Sequence, residues 1–279
     1  MKKLDKNGNV KVTLLKRLTN VIVCFKNSFK LCSIMIYYRL TKKVPTKLDF
    51  NILSQSKTLD LLSTSNKSII RFGDGEFLLI SGLDIGFQKY SDELKNDFLK
   101  ILNDEDNRLL VGLHSCVNLH DSEIEESGWR IGAIRVIKIL LPFVIKNKNR
   151  LFGDAVVFYA YNKNYFNVTR LVENKEIVIF ANELIIKEVF IQNLFSEASK
   201  IYTIIVDKKH SYEKKDIYLN EFYTLVKNKN KNNLRILLGG GPGSKVIGYT
   251  LIKDDYVCYD LGNWFDGVLG GRKVGTKQL

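Results

Sequence analysis

Residues 234–262 read LRILLGGGPGSKVIGYTLIKDDYVCYDLG. The apolar run 234–238 enters a glycine-rich turn, a helical stretch covers 244–252, and YVCYD at 256–260 closes the unit as a second strand. Strand, glycine loop, helix, strand is the building block of a parallel sheet. Loop amides at a helix N-terminus form an anion site, and Lys245 adds charge there. The P-loop pattern fails, because Ser244 precedes Lys245 and Val246 follows it. The dinucleotide pattern nearly fits from Gly239, with Ser244 at its last glycine and Asp260 spaced to take a ribose hydroxyl. Too little chain follows Asp260 for a full six-stranded unit downstream. Gly239, Gly240, Gly241, Gly243, Ser244 and Lys245 are therefore expected to hold the diphosphate or ribose of a single nucleotide. A ligand-free strand–helix connector also fits the same residues.

Working outward, short apolar strand patterns recur at 67–72, 108–112, 155–159, 176–180 and 201–206. Helical patterns stand at 50–63, 91–102, 129–146, 183–195 and 211–228. Alternating strands and helices imply an α/β fold, Rossmann-like, with a mostly parallel sheet and helices on both faces. Several strands are apolar throughout, as a sheet buried on both sides requires. One domain is expected over 46–279.

The preceding residues 1–45 form a basic, partly amphipathic segment. Lys26 and Lys30 interrupt its apolar run. It lacks the roughly 20 uninterrupted apolar residues of a spanning helix, and it has no small-residue cleavage site. Docking on an anionic membrane surface is expected, with packing against the main domain as the alternative. The location expected is cytoplasmic, at the inner face of the cell membrane.

The net charge is +13, which favours anionic partners. The lysines are dispersed, and no nucleic-acid motif is present, so nucleic acid is not expected as a partner. The four cysteines form no CxxC pair and share no ligand spacing with the three histidines. They read as reduced, buried thiols.

A second candidate site lies at residues 67–77, KSIIRFGDGEF. A strand runs to Arg71 and is broken by Gly73-Asp74-Gly75-Glu76. Ligands of parallel sheets bind at the carboxyl ends of strands. In an extended segment residues i and i+2 point the same way, so Asp74 and Glu76 would face one ion. Mg²⁺ and Mn²⁺ take oxygen ligands, commonly one or two carboxylates plus substrate phosphates. Gly73 and Gly75 allow close backbone approach, and Arg71 suits bidentate phosphate binding. The same residues also fit a tight turn, with Asp74 capping and Glu76 in a first helical turn. Beyond the last strand, Asp260, Asn263 and Asp266 are polar, and Trp264 and Phe265 fit either stacking on a ligand or core packing.

These motifs together resemble the bacterial glycosyltransferases of the GT-D fold. The resemblance rests on IIRFGDGEF, GFQKYSDELKNDFLKIL, Trp129-Arg130, IIVDKKHSYEKKDIYL and the closing LLGGGPGSKVIGYTLIKDDYVCYDLGNW, and it covers about residues 65–266. It implies transfer of a sugar from a nucleotide-sugar donor, often UDP-linked, onto a growing glycan. It also implies an Asp-x-Glu motif binding a divalent metal, typically Mn²⁺, which maps onto Asp74-Gly75-Glu76. The family's Asp-x-Gly-His is here Asp260-Leu261-Gly262-Asn263, with Asn263 where the histidine stands. The implied reaction needs a base for the acceptor hydroxyl, with Asp260 and Asp266 as candidates. The acceptor is expected to be a cell-surface glycan, lipid-linked in one version. A nucleotide-dependent oxidoreductase and a non-enzymatic binder of anionic polymers are the competing readings.

Overall fold

The computed structural model describes residues 47–127, 131–158, 166–191 and 193–265. The N-terminal segment 1–45, Trp129-Arg130 and Asp266 lie outside the described residues.

Seven strands form one sheet, β1 (Ser68–Arg71), β2 (Leu109–Leu113), β3 (Gly153–Asp154), β4 (Glu176–Ala181), β5 (Lys200–Ile205), β6 (Leu234–Leu238) and β7 (Cys258–Asp260). Their spatial order is β3-β2-β1-β7-β6-β4-β5, and every pairing is parallel. The helices are α1 (Gln55–Thr64), α2 (Asp74–Ile80), α3 (Asp92–Leu102), α4 (Asp121–Glu126), α5 (Ile131–Val144), α6 (Phe166–Val172), α7 (Glu183–Ile191), α8 (Lys215–Val226) and α9 (Pro242–Lys253). The α/β, doubly covered parallel sheet read from the sequence is the architecture found.

Strand residues alternate between two cores. In β4, Val178 and Phe180 enter one core, while Ile177, Ile179 and Ala181 enter the other. The first core packs under α2, α3, α5, α8 and α9, and the second under α1, α6 and α7 with Trp264 and Phe265. Because both sides are dry, these strands carry no polar face, which is why their sequence lacks alternation. The Trp264 and Phe265 rings cluster with Phe195 and are 1% and 0% exposed. Of the two readings for these aromatics, core packing is the one realised.

Several boundaries differ from the expectation. Residues 155–158 are a turn, and β3 is only Gly153–Asp154. A Cβ at Gly153 would sit 2.7 Å from Leu110, so this close edge pairing needs glycine, and the apolar run after it goes to core packing rather than ladder. The helix expected at 50–63 begins at Gln55, where the Ser54 hydroxyl accepts from Lys57 N–H. Before it, Ile52 bridges Phe152. Residues 211–214 are a 3₁₀ turn leading into α8. The short helices α4 and α6 carried too few turns for a periodic signal. The largest difference is α2, which occupies residues read as an extended loop.

Candidate active site

The segment Gly73–Phe77 is the first turn of α2, not an extended strand. Glu76 Oε2 accepts from Gly73 N–H at 2.8 Å, closing the turn as a capping carboxylate does. The same-side argument for Asp74 and Glu76 is therefore corrected, since residues two apart on a helix diverge by about 200°. What remains is two carboxylates at a helix head, at the carboxyl end of β1 near the sheet centre. Asp74 is exposed. The Glu76 side chain is 12% exposed, and its Oε1 lies 3.5 Å from Lys245 Nζ. Burial raises the pKa of Glu76, and Lys245 offsets part of that.

Lys245 does not reach into solvent for a phosphate. Its ammonium donates to Asp260 Oδ2 and to the carbonyl of Arg71, both at 2.6 Å. Asp260 is 1% exposed and also accepts from Arg71 N–H at 2.9 Å and Gly262 N–H at 3.0 Å. Burial alone would raise its pKa, yet Lys245, Arg71 and these hydrogen bonds hold it below the usual carboxylate range. Such a carboxylate stays ionised and is a poor proton acceptor. The general-base expectation for Asp260 is thus corrected to a positioning role, and its ribose role in the oxidoreductase reading is lost for the same reason.

Arg71 is likewise turned mostly inward, with only its Nε left without an acceptor. It is 7% exposed. Its NH1 donates to Ala155 O at 2.8 Å, its NH2 lies 3.9 Å from Asp260, and its guanidinium lies over the Phe158 ring. Gly262 has φ +55, and a Cβ there would collide with the Arg71 guanidinium. The glycine of Asp260-Leu261-Gly262 is therefore required by both backbone and contact. The expected bidentate phosphate role of Arg71 is corrected to sheet anchoring.

The glycine loop is also mostly committed to packing. A Cβ at Gly239 would lie 2.7 Å from the Phe265 ring, and at Gly240 2.6 Å from Val206. At Gly243 it would lie 2.5 Å from Ser211 Oγ and strike the Tyr212 backbone. Ser244 Oγ donates back to Gly241 O at 2.7 Å. Gly241, at φ +71, turns the chain into α9, with Pro242 at the helix start. Gly239, Gly240 and Gly241 keep part of their backbone exposed, whereas Gly243, Ser244 and Lys245 are buried. So the loop can offer a ligand only its outer residues. Asn263 is exposed beside it.

Three further features were not assigned from sequence. Gln88 is 1% exposed. It donates to Glu213 at 3.2 Å and accepts from Tyr212 N–H at 3.4 Å. Ser211 Oγ then donates to Gly240 O at 2.8 Å. The GFQKY stretch thereby fastens the glycine loop to the chain after β5. Phe87 next to it is 47% exposed, with its ring facing Gly241. At the ends of β3 and β2, buried Asp154 has a raised pKa and His114 is pushed down to about 4, both through burial. Among the described residues no group of three or more His, Cys, Asp or Glu gathers as a closed metal cage.

The order and spacing of these parts match a known family. Residues 69–266 fit the sequence profile described as "Glycosyltransferase GT-D fold". The chain belongs to the GT-D-fold glycosyltransferases. A probable glycosyl transferase, Gly, of Streptococcus gordonii is 26% identical over 78% of this chain and 33% of its own length. Glycosyltransferase GlyD of Streptococcus pneumoniae is 25% identical over 79% and 27%. The chain spans a third or less of these curated relatives. Among solved structures, a glycosyltransferase (DUF1792) from Streptococcus sanguinis superposes with TM-score 0.66 at 22% identity, over 82% of this chain and 90% of that one. A structure described as a conserved domain with a distinct glycosyltransferase fold gives 0.67 at 21%, over 82% and 86%. In GT-D terms, the cluster around Lys245 is the pin that joins the first motif of this chain to the last. No helix among the described residues is long and apolar enough to cross a membrane.

Proposed function

We propose that this chain transfers a sugar from a nucleotide-sugar donor, UDP-linked, to a glycan acceptor in bacterial cell-surface polysaccharide or glycoprotein synthesis. The carrying observation is the pair of carboxylates at the head of α2, one exposed and one mostly shielded, where β1 ends beside the central strand β7. The proposed ion is Mn²⁺ or Mg²⁺, with substrate phosphates completing its shell; exposed Asp74 is open to it, while Glu76, held by Gly73 N–H and Lys245, would have to turn its carboxylate toward it. Asp74 and Glu76 would hold the ion, which supplies neutralisation of the diphosphate as the leaving group departs.

The chain's own residues frame the donor. Lys245 holds Glu76 and Asp260 in place and keeps the β1 and β7 ends at a fixed spacing. The amides of Gly240 and Gly241 would face the diphosphate, the Gly239 N–H being donated to Phe180 O at 2.7 Å, and Asn263 is exposed within the closing motif. Asp266 remains the proposed base toward the acceptor hydroxyl. Residues 1–45 are proposed to dock on the anionic inner face of the membrane, where a lipid-linked acceptor would be met.

The test is release of nucleotide from UDP-, GDP-, TDP- and CMP-sugars by the purified chain, with Mn²⁺ and with chelator, alongside direct donor binding. Metal-dependent release or binding of one class, reduced by roughly 10²–10³-fold in Asp74→Ala/Glu76→Ala, is expected. If no sugar nucleotide binds with metal present, the donor assignment fails. If binding and release survive the double variant, the ligand assignment fails. Vesicle co-sedimentation that persists without residues 1–45 would remove the docking role.

A further inference from the structure

At the opposite end of the sheet lies a second polar cavity, of about 240 Å³. It opens where α1 ends and β4 and β6 begin. Arg170, Lys175 and Arg235 line it, with Glu173, Asn66 and Tyr259. Arg235 is 7% exposed. Its NH1 donates to the carbonyls of Asn232 at 3.1 Å and Leu234 at 2.8 Å, and its NH2 donates to Asn66 Oδ1 at 3.1 Å. Its Nε finds no acceptor.

Among the described residues, no carboxylate lies within ion-pair distance of Arg235, Arg170 or Lys175. This sets Arg235 apart from Arg71, the buried arginine of the other end, which has Asp260. A largely buried guanidinium without a carboxylate carries a desolvation cost that a bound anion would offset. Three cations against the single carboxylate of Glu173 leave the cavity positive. Its volume falls below the roughly 300–1,000 Å³ of a pocket for a drug-sized ligand, so it suits a small group. A phosphate dianion matches a guanidinium edge flanked by two more cations better than a carboxylate, having three acceptor oxygens.

We infer that this cavity binds the phosphate of a phosphomonoester, at a site separate from the donor diphosphate. The inference is independent of the proposed sugar transfer. Its source is either a soluble phosphomonoester or a lipid headgroup, and the chemistry is shared.

The test is calorimetric titration of inorganic phosphate into the full chain in metal-free buffer. Arg170→Ala/Lys175→Ala is the variant, since Arg170 is exposed and Lys175 half-buried and both truncations should leave the fold intact. Thermal melting verifies that. Phosphate binding by the wild type, weakened roughly tenfold or more in the variant, is expected. No phosphate binding at millimolar concentration, or equal binding by the variant, overturns the site. Flotation on phosphatidic-acid vesicles that drops in the variant would identify the source as a lipid headgroup. Flotation that is absent, or equal in both proteins, alongside variant-sensitive phosphate binding, would identify it as soluble.

Discussion

Two glycine-bearing stretches look alike in the sequence and are used in opposite ways. At Gly73-Asp74-Gly75-Glu76, an added Cβ would meet nothing closer than 3.5 Å. At Gly239–Gly243, the missing Cβ positions of Gly239, Gly240 and Gly243 are taken by Phe265, Val206 and the Ser211–Tyr212 backbone. The first keeps its space open around exposed Asp74. The second converts its space into contact between β6, α9 and the chain after β5. Glycine in a loop thus signals either room for a ligand or room for the protein, and only the neighbours tell which.

That contrast can be broken by substitution. Lys245 joins the two stretches, so Lys245→Met should have the largest effect, about 3–5 kcal/mol of lost stability, because buried Asp260 and Glu76 lose the cation nearest to both. Urea unfolding measures it, and a loss below about 1 kcal/mol would mean the pin is solvated. Gly243→Ala should cost about 1–3 kcal/mol, since backbone must move. Gly75→Ala should instead stabilise by about 0.5–1 kcal/mol, being a helical position with open space. Equal costs at Gly243 and Gly75 would erase the distinction. Both can be read from the same melts, with donor binding recorded beside them.

The two carboxylates facing Lys245 extend the comparison to pH, with the smallest expected change at neutrality. Glu76 has a raised folded pKa, so the folded state binds more protons than the unfolded one above the ordinary carboxylate value, and stability falls as pH rises through that window. Asp260 has a lowered folded pKa, so its contribution is complete above its unfolded value and is lost only as pH falls through the folded one. Glu76→Gln should flatten the fall in stability that sets in above the ordinary carboxylate range, while Asp260→Asn should flatten the fall below it. The reverse assignment would show that Lys245 pairs chiefly with Glu76.

The sheet was legible because its strands, edge strand β5 excepted, are buried on both faces. Runs such as LRILL and EIVIF leave no helical stripe, so five of the six strands outside β3 fall within one residue of their expected limits, and β7 loses only Tyr256 and Val257. The site was legible in position and less so in role. Glu76, Lys245 and Asp260 do come together around the ends of β1 and β7, while Asp74 is exposed at the head of α2. The sequence signal for α2 was present, with Glu76 three residues after Gly73 as in a capping box, but the Asp-Gly step reads equally as a turn. The roles of Arg71, Lys245 and Asp260 were not legible because long-range pairing decides them. Arg71 and Asp260 are 189 residues apart in the chain, and no local spacing encodes that contact. Gln88 stood out in the motif, yet its partner Glu213 is 125 residues away.

The place of β7 in the sheet has a consequence for how the chain is made. β7 sits between β1 and β6, although it is the last strand among the described residues. While the chain is being synthesised, β1 and β6 each present an open edge of unpaired amides and carbonyls, and Lys245 has been delivered without the carboxylate that neutralises it. The emerging protein therefore holds two half-sheets that cannot close until residues 258–260 arrive. Closure of the sheet and assembly of the charged cluster are one event, so a ribosome that stalls before that point leaves an aggregation-prone intermediate with no site at all.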